Sequence, residues 1–331
     1  MRFAKYLAKR ILVWLLTILV GVTVVFIIQR MMPSDPVENM VQKLVGMSHD
    51  MSPDQIEAMR HSIRKQYGLE GSLFSQYIST LSRVARFDFG PSMSKYPMPV
   101  SSLIGQALPY TLTLLFTTTI LSWIIGNLIG LLAGYKKDKW YSKVLETVSM
   151  CIYPTPYFIV ALIILTLMAF VNRWFPLVPS FGRFEFSFTW FKNALRNAFM
   201  PALSLMLVGT GWWIISMKSL SSGVAEEPYT NYARLKGLRG RTIAFRYVFR
   251  NSILTQVTAL ALNLGGAFGG SLMCEIIFSY PGVGLLVNSA IYNADYNLLT
   301  GAIFISIFAV ATATLVVDLI YPLLDPRIRY S

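Results

Sequence analysis

The sequence predicts an all-α integral membrane protein with six transmembrane helices. Of its 331 residues, 54% are hydrophobic and 14% are charged, and the mean hydropathy of +0.53 lies outside the usual range of soluble domains. The shortest apolar run, at about 1.5 Å per residue, reaches about 27 Å, close to the hydrocarbon thickness of a bilayer. The predicted spans are roughly 11–28, 108–133, 144–171, 199–217, 253–274 and 298–320.

Basic residues set the predicted orientation, with both termini in the cytoplasm. The net charge of +13 is concentrated at the ends of apolar runs, which favours membrane topology over nucleic-acid binding. With the N-terminus inside, the connections 136–143 and 218–250 and the tail with Arg327 and Arg329 are cytoplasmic. The first apolar run is expected to be an uncleaved span, because it is long for a signal peptide and no small-residue cleavage site follows it.

This topology divides the chain into three regions. Residues 1–29 hold the N-terminal tail and first transmembrane helix, 30–105 form a helical extracytoplasmic insertion, and 106–331 form a five-helix core with a cytoplasmic loop at 218–252.

The insertion contains two predicted helices. Ser52 and Gln55 form a capping-box pattern around Pro53, which marks a helix start. A second helix begins near Ser72. The apolar side chains of this second helix recur at helical spacing, which predicts packing on a neighbouring helix, with direct substrate contact as the alternative. They are Phe74, Tyr77, Ile78, Leu81, Val84 and Ala85.

Glycine and proline shape the predicted spans. Glycines recur every four residues in the second and fifth spans, so that one face of each helix lets another backbone approach closely. Static helix packing is the favoured interpretation, and helix sliding during alternating access is the alternative. Pro154 and Pro156 are expected to bend the third span. The glycines are Gly126, Gly130 and Gly134, with the pairs Gly265 and Gly269, and Gly266 and Gly270.

Glu275 is the candidate pathway or gate residue. A carboxylate at the bilayer centre costs about 2.5–3.5 kcal/mol on insertion scales, so it should face a pathway or a partner. Its position near the outer end of the fifth span leaves open a second interpretation, in which it caps the helix or pairs locally.

The most informative segment is the basic loop 227–251. Tyr229, Tyr232 and Ala233 fall at helical spacing and predict a small apolar knob, with Arg234 beside it and Gly237 ending the helix. Further arginines predict a second basic helix leading into the fifth span. A loop of this kind either fixes membrane orientation alone or binds a cytoplasmic partner.

Residue identities in this loop resemble the coupling loop of ABC importer permeases, and most closely those of the dipeptide, oligopeptide and nickel branch. The similar positions are Tyr229, Ala233, Arg234, Lys236, Gly237, Leu238, Arg246, Arg250 and Asn251. The general importer pattern has Glu-Ala-Ala where this chain has Asn231, Tyr232 and Ala233. The segment from Glu275 to Gly284 is similar to the family's Glu-x-x-Phe-x-x-Pro-Gly-x-Gly pattern, and Asp318 and the run 325–329 resemble its C-terminal signature.

The resemblance implies a multi-pass permease subunit of a bacterial or archaeal inner membrane. It implies a second homologous or identical permease, two ATPase subunits that bind ATP and Mg, and an extracytoplasmic solute-binding protein. Peptides are the leading cargo, with oligosaccharides and nickel chelates open. It assigns ATPase coupling to Tyr229, Tyr232, Ala233, Arg234, Lys236, Gly237 and Leu238.

The sequence argues against chemistry within this chain. It has no G-x-x-x-x-G-K-[ST] loop for nucleotide phosphates. Cys151 and Cys274 are its only cysteines and are predicted to pack rather than to form a disulfide or a metal site. Neither His49 nor His61 has metal-site spacing, so no enzyme activity, cofactor or metal is expected. An ATP-independent channel or secondary carrier is the alternative function.

Overall fold

The computed structural model describes residues 2–31, 35–47, 51–181, 187–266 and 268–324. This part of the chain consists of helices and the loops that connect them, with one isolated β-bridge between Pro91 and Pro99. It contains α1 Arg2–Met31, α2 Pro36–Met47, α3 Pro53–Gln66, α4 Leu73–Ala85, α5 Val100–Tyr135, α6 Trp140–Ile152, α7 Tyr157–Leu165, α8 Phe188–Glu226, α9 Pro228–Leu235, α10 Gly240–Thr242, α11 Arg250–Gly266, α12 Phe268–Ile277, α13 Val283–Tyr292 and α14 Tyr296–Leu324. Two π-helical segments, Thr166–Val171 and Ile243–Phe249, continue α7 and α10.

Within the described residues, four helical segments are long and apolar enough to cross a membrane. They are Lys5–Met31, Val100–Tyr135, Phe188–Glu226 and Tyr296–Leu319. These helices extend beyond the predicted apolar runs and into polar sequence. They can do so because a helix satisfies its backbone hydrogen bonds internally, whatever its side chains are.

A fifth span exists if the bent pair Trp140–Ile152 and Tyr157–Val171 crosses as one. The two parts meet at 96°, and the break contains Pro154 and Pro156, as the sequence predicts. The predicted span 253–274 falls on α11 and α12, on either side of residue 267, which lies outside the described residues. The described chain is thus a helical membrane protein with four or five recognisable spans.

The chain folds as two units. The first combines the chain up to Thr111 with Pro281–Leu319, and the second is essentially Leu112–Tyr280. In the first unit α1 and α14 run antiparallel, with side-chain contacts between residues 6–29 and 296–318. Gln29 donates to Thr300 Oγ1 (2.9 Å) at one end, and Arg10 pairs with Asp318 (2.5 Å) at the other.

The helical insertion belongs to the first unit. Ser52 accepts from the backbone of Gln55, whose side chain accepts from the Ser52 backbone, so the predicted capping box is present. Ser72 caps α4, also as predicted. Tyr77 of α4 bonds Thr23 of α1 (2.7 Å), so part of the predicted stripe packs on a neighbouring helix. Phe74 is 73% exposed, and that end of the stripe has no such contact.

Candidate functional site

The short helix α9 folds back on the end of α8. Glu227 is extended (φ −62°, ψ 145°) and separates the two helices. Pro228 then occupies the first position of α9, where its missing N–H costs no hydrogen bond. Thr230 is fully buried and its Oγ1 donates to the Val224 carbonyl at 2.9 Å. The start of α9 is therefore fixed to the last turn of α8.

Gly237 reverses the chain after α9, as predicted. Its φ of +74° is in the left-handed region that disfavours residues with a Cβ. The Gly237 amide donates to the Arg234 carbonyl (2.9 Å) and the Leu238 amide to the Ala233 carbonyl (3.3 Å). A Cβ at Gly237 would meet no atom within 4 Å, so backbone conformation alone makes glycine the favoured residue here.

Three of the exposed side chains of α9 are large and apolar. Tyr229, Tyr232 and Leu235 are 43%, 65% and 84% exposed, whereas Ala233 is only 3% exposed. Because consecutive helical residues are about 100° apart, Ala233 points towards the body of the protein while Tyr232 points away from it. The predicted knob contained Ala233 where the structure has Leu235. We call Tyr229, Tyr232 and Leu235 the α9 face.

Cations flank the α9 face. The Arg234 guanidinium lies over the Tyr135 ring at 5.9 Å, which connects α9 to the end of α5. The Lys236 ammonium lies over the Tyr232 ring at 5.7 Å. Leu238, at 38% exposure, borders the same surface. The arrangement is suited to a partner surface that is partly apolar and partly acidic.

Three helices meet beneath α9. A buried cluster joins Leu131 of α5 and Met217 and Ala225 of α8 to Val248 of the π-helical segment that leads into α11. Val248 and Met217 are completely buried. Close packing makes interiors of this kind stiff.

The predicted glycine face of α5 lies against α8. A Cβ at Gly130 would approach the Met217 Cβ to 2.7 Å and the Ile214 carbonyl oxygen to 2.8 Å, and Gly126 and Gly134 are similarly enclosed by α8. The two backbones can be this close only because the α5 face has no side chains. The surroundings of Gly266 and Gly270 lie outside the described residues.

Two ion pairs lie at the same end of the second unit. Lys218 of α8 pairs with Glu146 of α6 at 2.5 Å, and the Lys218 side chain is only 12% exposed. Lys137, after α5, pairs with Glu226, and this hydrogen bond raises the pKa of Lys137. These pairs add α6 to the helices that are joined around α9.

Glu275 is fully buried in α12. Its neighbour Cys274 and the nearby Phe278 pack in a cluster with Ala161 of α7 and Met200 of α8. In this conformation Glu275 therefore lies inside packed protein and not on an open surface. Both the gate and the local-pairing interpretations remain compatible with that position.

Buried amides between α5 and α11 form a feature that sequence analysis missed. Gln256 is 1% exposed, and its Nε2 donates to Ser216 Oγ at 2.8 Å. Trp123 Nε1 donates to the Gln256 carbonyl at 3.0 Å, and Asn127 Nδ2 donates to the Trp123 carbonyl at 2.7 Å. The sequence did offer one indication of this feature, the single amide side chain of Gln256 within an apolar run. A polar side chain at membrane depth is costly unless it is hydrogen-bonded, so such a residue is expected to have a partner.

An open cleft lies in the second unit between α5, α7, α8 and α11. Its wall is apolar apart from a few polar groups, which is typical of a small-molecule site. The polar residues are Thr118, Thr119, Ser122, Tyr157 and Asn263. Among the described residues there is no group of three or more His, Cys, Asp or Glu side chains that could hold a metal ion.

Residues 126–330, more than half of the chain, match the family described as "Binding-protein-dependent transport system inner membrane component". The chain belongs to this family. The permease is therefore a multi-pass cell-membrane protein. The matched residues include the end of α5 and all of α6 to α12, and so the whole of α9.

Similar proteins cover the permease from end to end. The oligopeptide transport system permease protein AppB of Bacillus subtilis (strain 168) is 29% identical over 99% of this chain and 100% of its own length. The dipeptide transport system permease protein DppB of Lactococcus lactis subsp. cremoris is 28% identical over 98% of this chain and 99% of its own. A putative peptide permease of Brucella suis biovar 1 is 26% identical over 99% of both.

Proposed function

We propose that the permease forms half of the translocation pathway of an ATP-driven importer of peptides. The family supplies the class of transport, and the names of the relatives from Bacillus and Lactococcus support peptides as cargo. Oligosaccharides and nickel chelates are the competing cargoes. A second permease, identical or homologous, completes the pathway, and a solute-binding protein outside the membrane delivers the cargo.

The proposed topology has six spans with both termini in the cytoplasm. The fifth of these spans is formed by α11 and α12. Positive residues support this orientation, since 136–143 and 218–252 then lie inside and the insertion 30–105 outside. It also places α9 on the side where ATP is available.

The α9 face is the proposed contact with an ATPase subunit. Its exposed tyrosines and leucine are the observation on which the proposal chiefly depends, because a soluble surface rarely presents such a patch without a partner. Burial of one such side chain contributes roughly 1.5–3 kcal/mol. Arg234 and Lys236 at the edge of the patch favour an acidic rim on the partner.

Movement follows from the way in which α9 is attached. ATP and Mg would bind in the partner subunits, and closure of the ATPase pair would displace α9. The buried cluster of Leu131, Met217, Ala225 and Val248 passes this displacement to three spans at once. The glycine face of α5 keeps α5 and α8 in register. The cleft that contains Thr118 and Asn263 is the proposed route for cargo, with Glu275 as a gate candidate.

Site-specific cross-linking tests the placement of α9. With Cys151 replaced by serine, a cysteine at Leu235 (84% exposed) is expected to react with reagents only from the cytoplasmic side and to cross-link to the ATPase subunit. A cysteine at Tyr292 (83% exposed) is the matched control, expected to react from outside. Labelling of position 235 from outside intact cells would overturn the topology and the docking site.

Reconstitution of the permease without its ATPase distinguishes an ATP-driven importer from a channel. Vesicles that contain the permease pair without ATPase subunits are expected to show no solute flux. Flux in these vesicles would favour an ATP-independent channel or carrier.

A further inference from the structure

An arginine at the end of α1 has a polar atom that is buried without a partner. The Arg30 guanidinium lies over the rings of Phe26 (5.0 Å) and Tyr296 (5.7 Å). Its Nε is buried and forms no hydrogen bond within the described part of the chain. Stacking on two rings holds the guanidinium plane and leaves its N–H edge available to an anion.

A second unpartnered donor lies in the same cleft. Tyr67 is 3% exposed, and its hydroxyl has no hydrogen-bond partner among the described residues. Burial raises the pKa of Tyr67 to about 12, so the phenol stays protonated and able to donate. A buried hydroxyl of this kind normally has a partner, which makes the vacant donor evidence for a ligand.

Arg83 of α4 provides the second positive charge of the cleft. Two glycines with positive φ, Gly68 (+67°) and Gly90 (+70°), make room for it. A Cβ at Gly90 would collide with Arg83 Nη2, and a Cβ at Gly68 would lie 3.7 Å from Nη1. No carboxylate pairs with Arg83 in the described ranges.

These groups line one cleft within the first unit. Its charged lining consists of Arg30, Arg83 and Asp88, and the Asp88 carboxylate already accepts from the Gly90 amide at 3.0 Å. Asp35, which acts on Arg30 from outside the lining, pairs with Arg64 at 3.3 Å. Asp295, which also acts on Tyr67, is fully buried and already accepts hydrogen bonds from Ser92, Ser94 and Leu298. The lining itself, with two arginines and one aspartate, carries one net positive charge.

The cleft lies where two membrane spans end. The span Lys5–Met31 finishes one residue after Arg30, and the span Tyr296–Leu319 begins with a residue of the cleft wall. Beside Arg30, the apolar side chains of Ile27, Ile28 and Met31 are 50%, 54% and 77% exposed. A headgroup in the cleft would thus have apolar surface next to it for its acyl chains.

We propose that Arg30, Arg83 and Tyr67 bind the phosphate group of a membrane phospholipid. Phosphate offers several acceptor oxygens to two guanidinium groups and one hydroxyl, and arginine favours such multidentate contacts. Basic pockets between spans at headgroup depth are suited to lipid phosphates. The site depends on α1 and α14 spanning the membrane and not on the cargo or the ATPase.

Native mass spectrometry of the full chain, purified with its partner permease, tests the site. Added dioleoyl phosphatidylglycerol is compared with dioleoylglycerol, which has the same acyl chains and no phosphate. We expect only the phospholipid to be retained, and the double variant Arg30→Gln with Arg83→Gln to weaken its binding by about tenfold or more. The matched control Arg86→Gln, an exposed arginine outside the cleft, should bind as the unmodified chain does.

Two conservative variants keep the test valid if the double variant fails to fold. Tyr67→Phe removes the hydroxyl alone and should weaken binding by about fivefold. Arg30→Lys keeps the charge but loses the planar contacts, and should bind between the unmodified chain and the double variant.

The proposal would be overturned if the unmodified chain and all these variants retained phosphatidylglycerol equally. It would also be overturned if the unmodified chain retained dioleoylglycerol as well as phosphatidylglycerol. A competition with inorganic phosphate separates the two sources of the group. If inorganic phosphate binds through the arginines while phospholipid retention ignores them, the lipid source is wrong. Because no ATPase is present, failure here leaves the importer proposal untouched.

Discussion

Replacing Gly130 with alanine should destabilise the permease by pushing α5 away from α8. The added Cβ would lie 2.8 Å from the Ile214 carbonyl oxygen and 3.2 Å from the Lys218 amide nitrogen, and both are backbone atoms that cannot rotate away. Bringing the shorter contact to the 3.4 Å lower limit of ordinary van der Waals contact requires a displacement of about 0.6 Å. Overpacking of this kind costs about 1–3 kcal/mol.

Gly105→Ala is the matched control, since Gly105 is in the same helix and a Cβ there meets nothing within 4 Å. Alanine is favoured over glycine in a helix by about 1 kcal/mol, and this gain applies to both variants. The difference between them therefore isolates the steric cost. Unfolding of the purified chain in mixed detergent and SDS micelles measures it, and equal stabilities would refute the close approach of α5 and α8.

Three further changes test separate contacts. Gly237→Val places a β-branched residue at φ +74° and should lower the free energy of unfolding by about 1–2 kcal/mol in the same assay. Membrane insertion should stay normal. An unchanged unfolding midpoint would argue against the left-handed turn at Gly237. Asp295→Ala removes a buried acceptor of Ser92, Ser94 and Leu298 and should lower the free energy of unfolding by about 2–4 kcal/mol. We expect faster proteolysis at residues 92–98, and an unchanged cleavage rate would contradict this role of Asp295. Glu146→Gln leaves Lys218 without its charged partner and should lower the free energy of unfolding by about 1–2 kcal/mol. Adding Lys218→Met in the same chain should partly restore this stability. A double variant no more stable than Glu146→Gln alone would exclude the pairing.

Much of the fold could be predicted because local rules and membrane depth decide it. The caps at Ser52 and Ser72 depend on a few adjacent residues, and the bend near Pro154 depends on missing backbone donors. The lengths of the apolar runs located the spans but not their ends. The helix α8 continues to Glu226, well past its apolar run, because its last turns pack on α5 and α9.

The candidate site was harder to predict because the rotation of a short helix depends on what lies beneath it. Eight residues allow several faces to be buried, and burial of Thr230 and Ala233 is what leaves Leu235 outside. The buried amide of Gln256 was missed for a related reason. Its hydrogen bond to Ser216 joins two helices that are distant in sequence.

ATP-driven uptake by a variant of the α9 face tests the central claim most directly. Tyr232→Ala combined with Leu235→Ala removes most of the exposed apolar surface and leaves the buried Thr230 and Ala233 in place, so the helix should remain folded. In vesicles with all partner subunits, we expect peptide uptake to fall at least about tenfold, with insertion and unfolding midpoint unchanged. Uptake equal to that of the unmodified permease would contradict the claim that α9 transmits ATPase movement to the pathway.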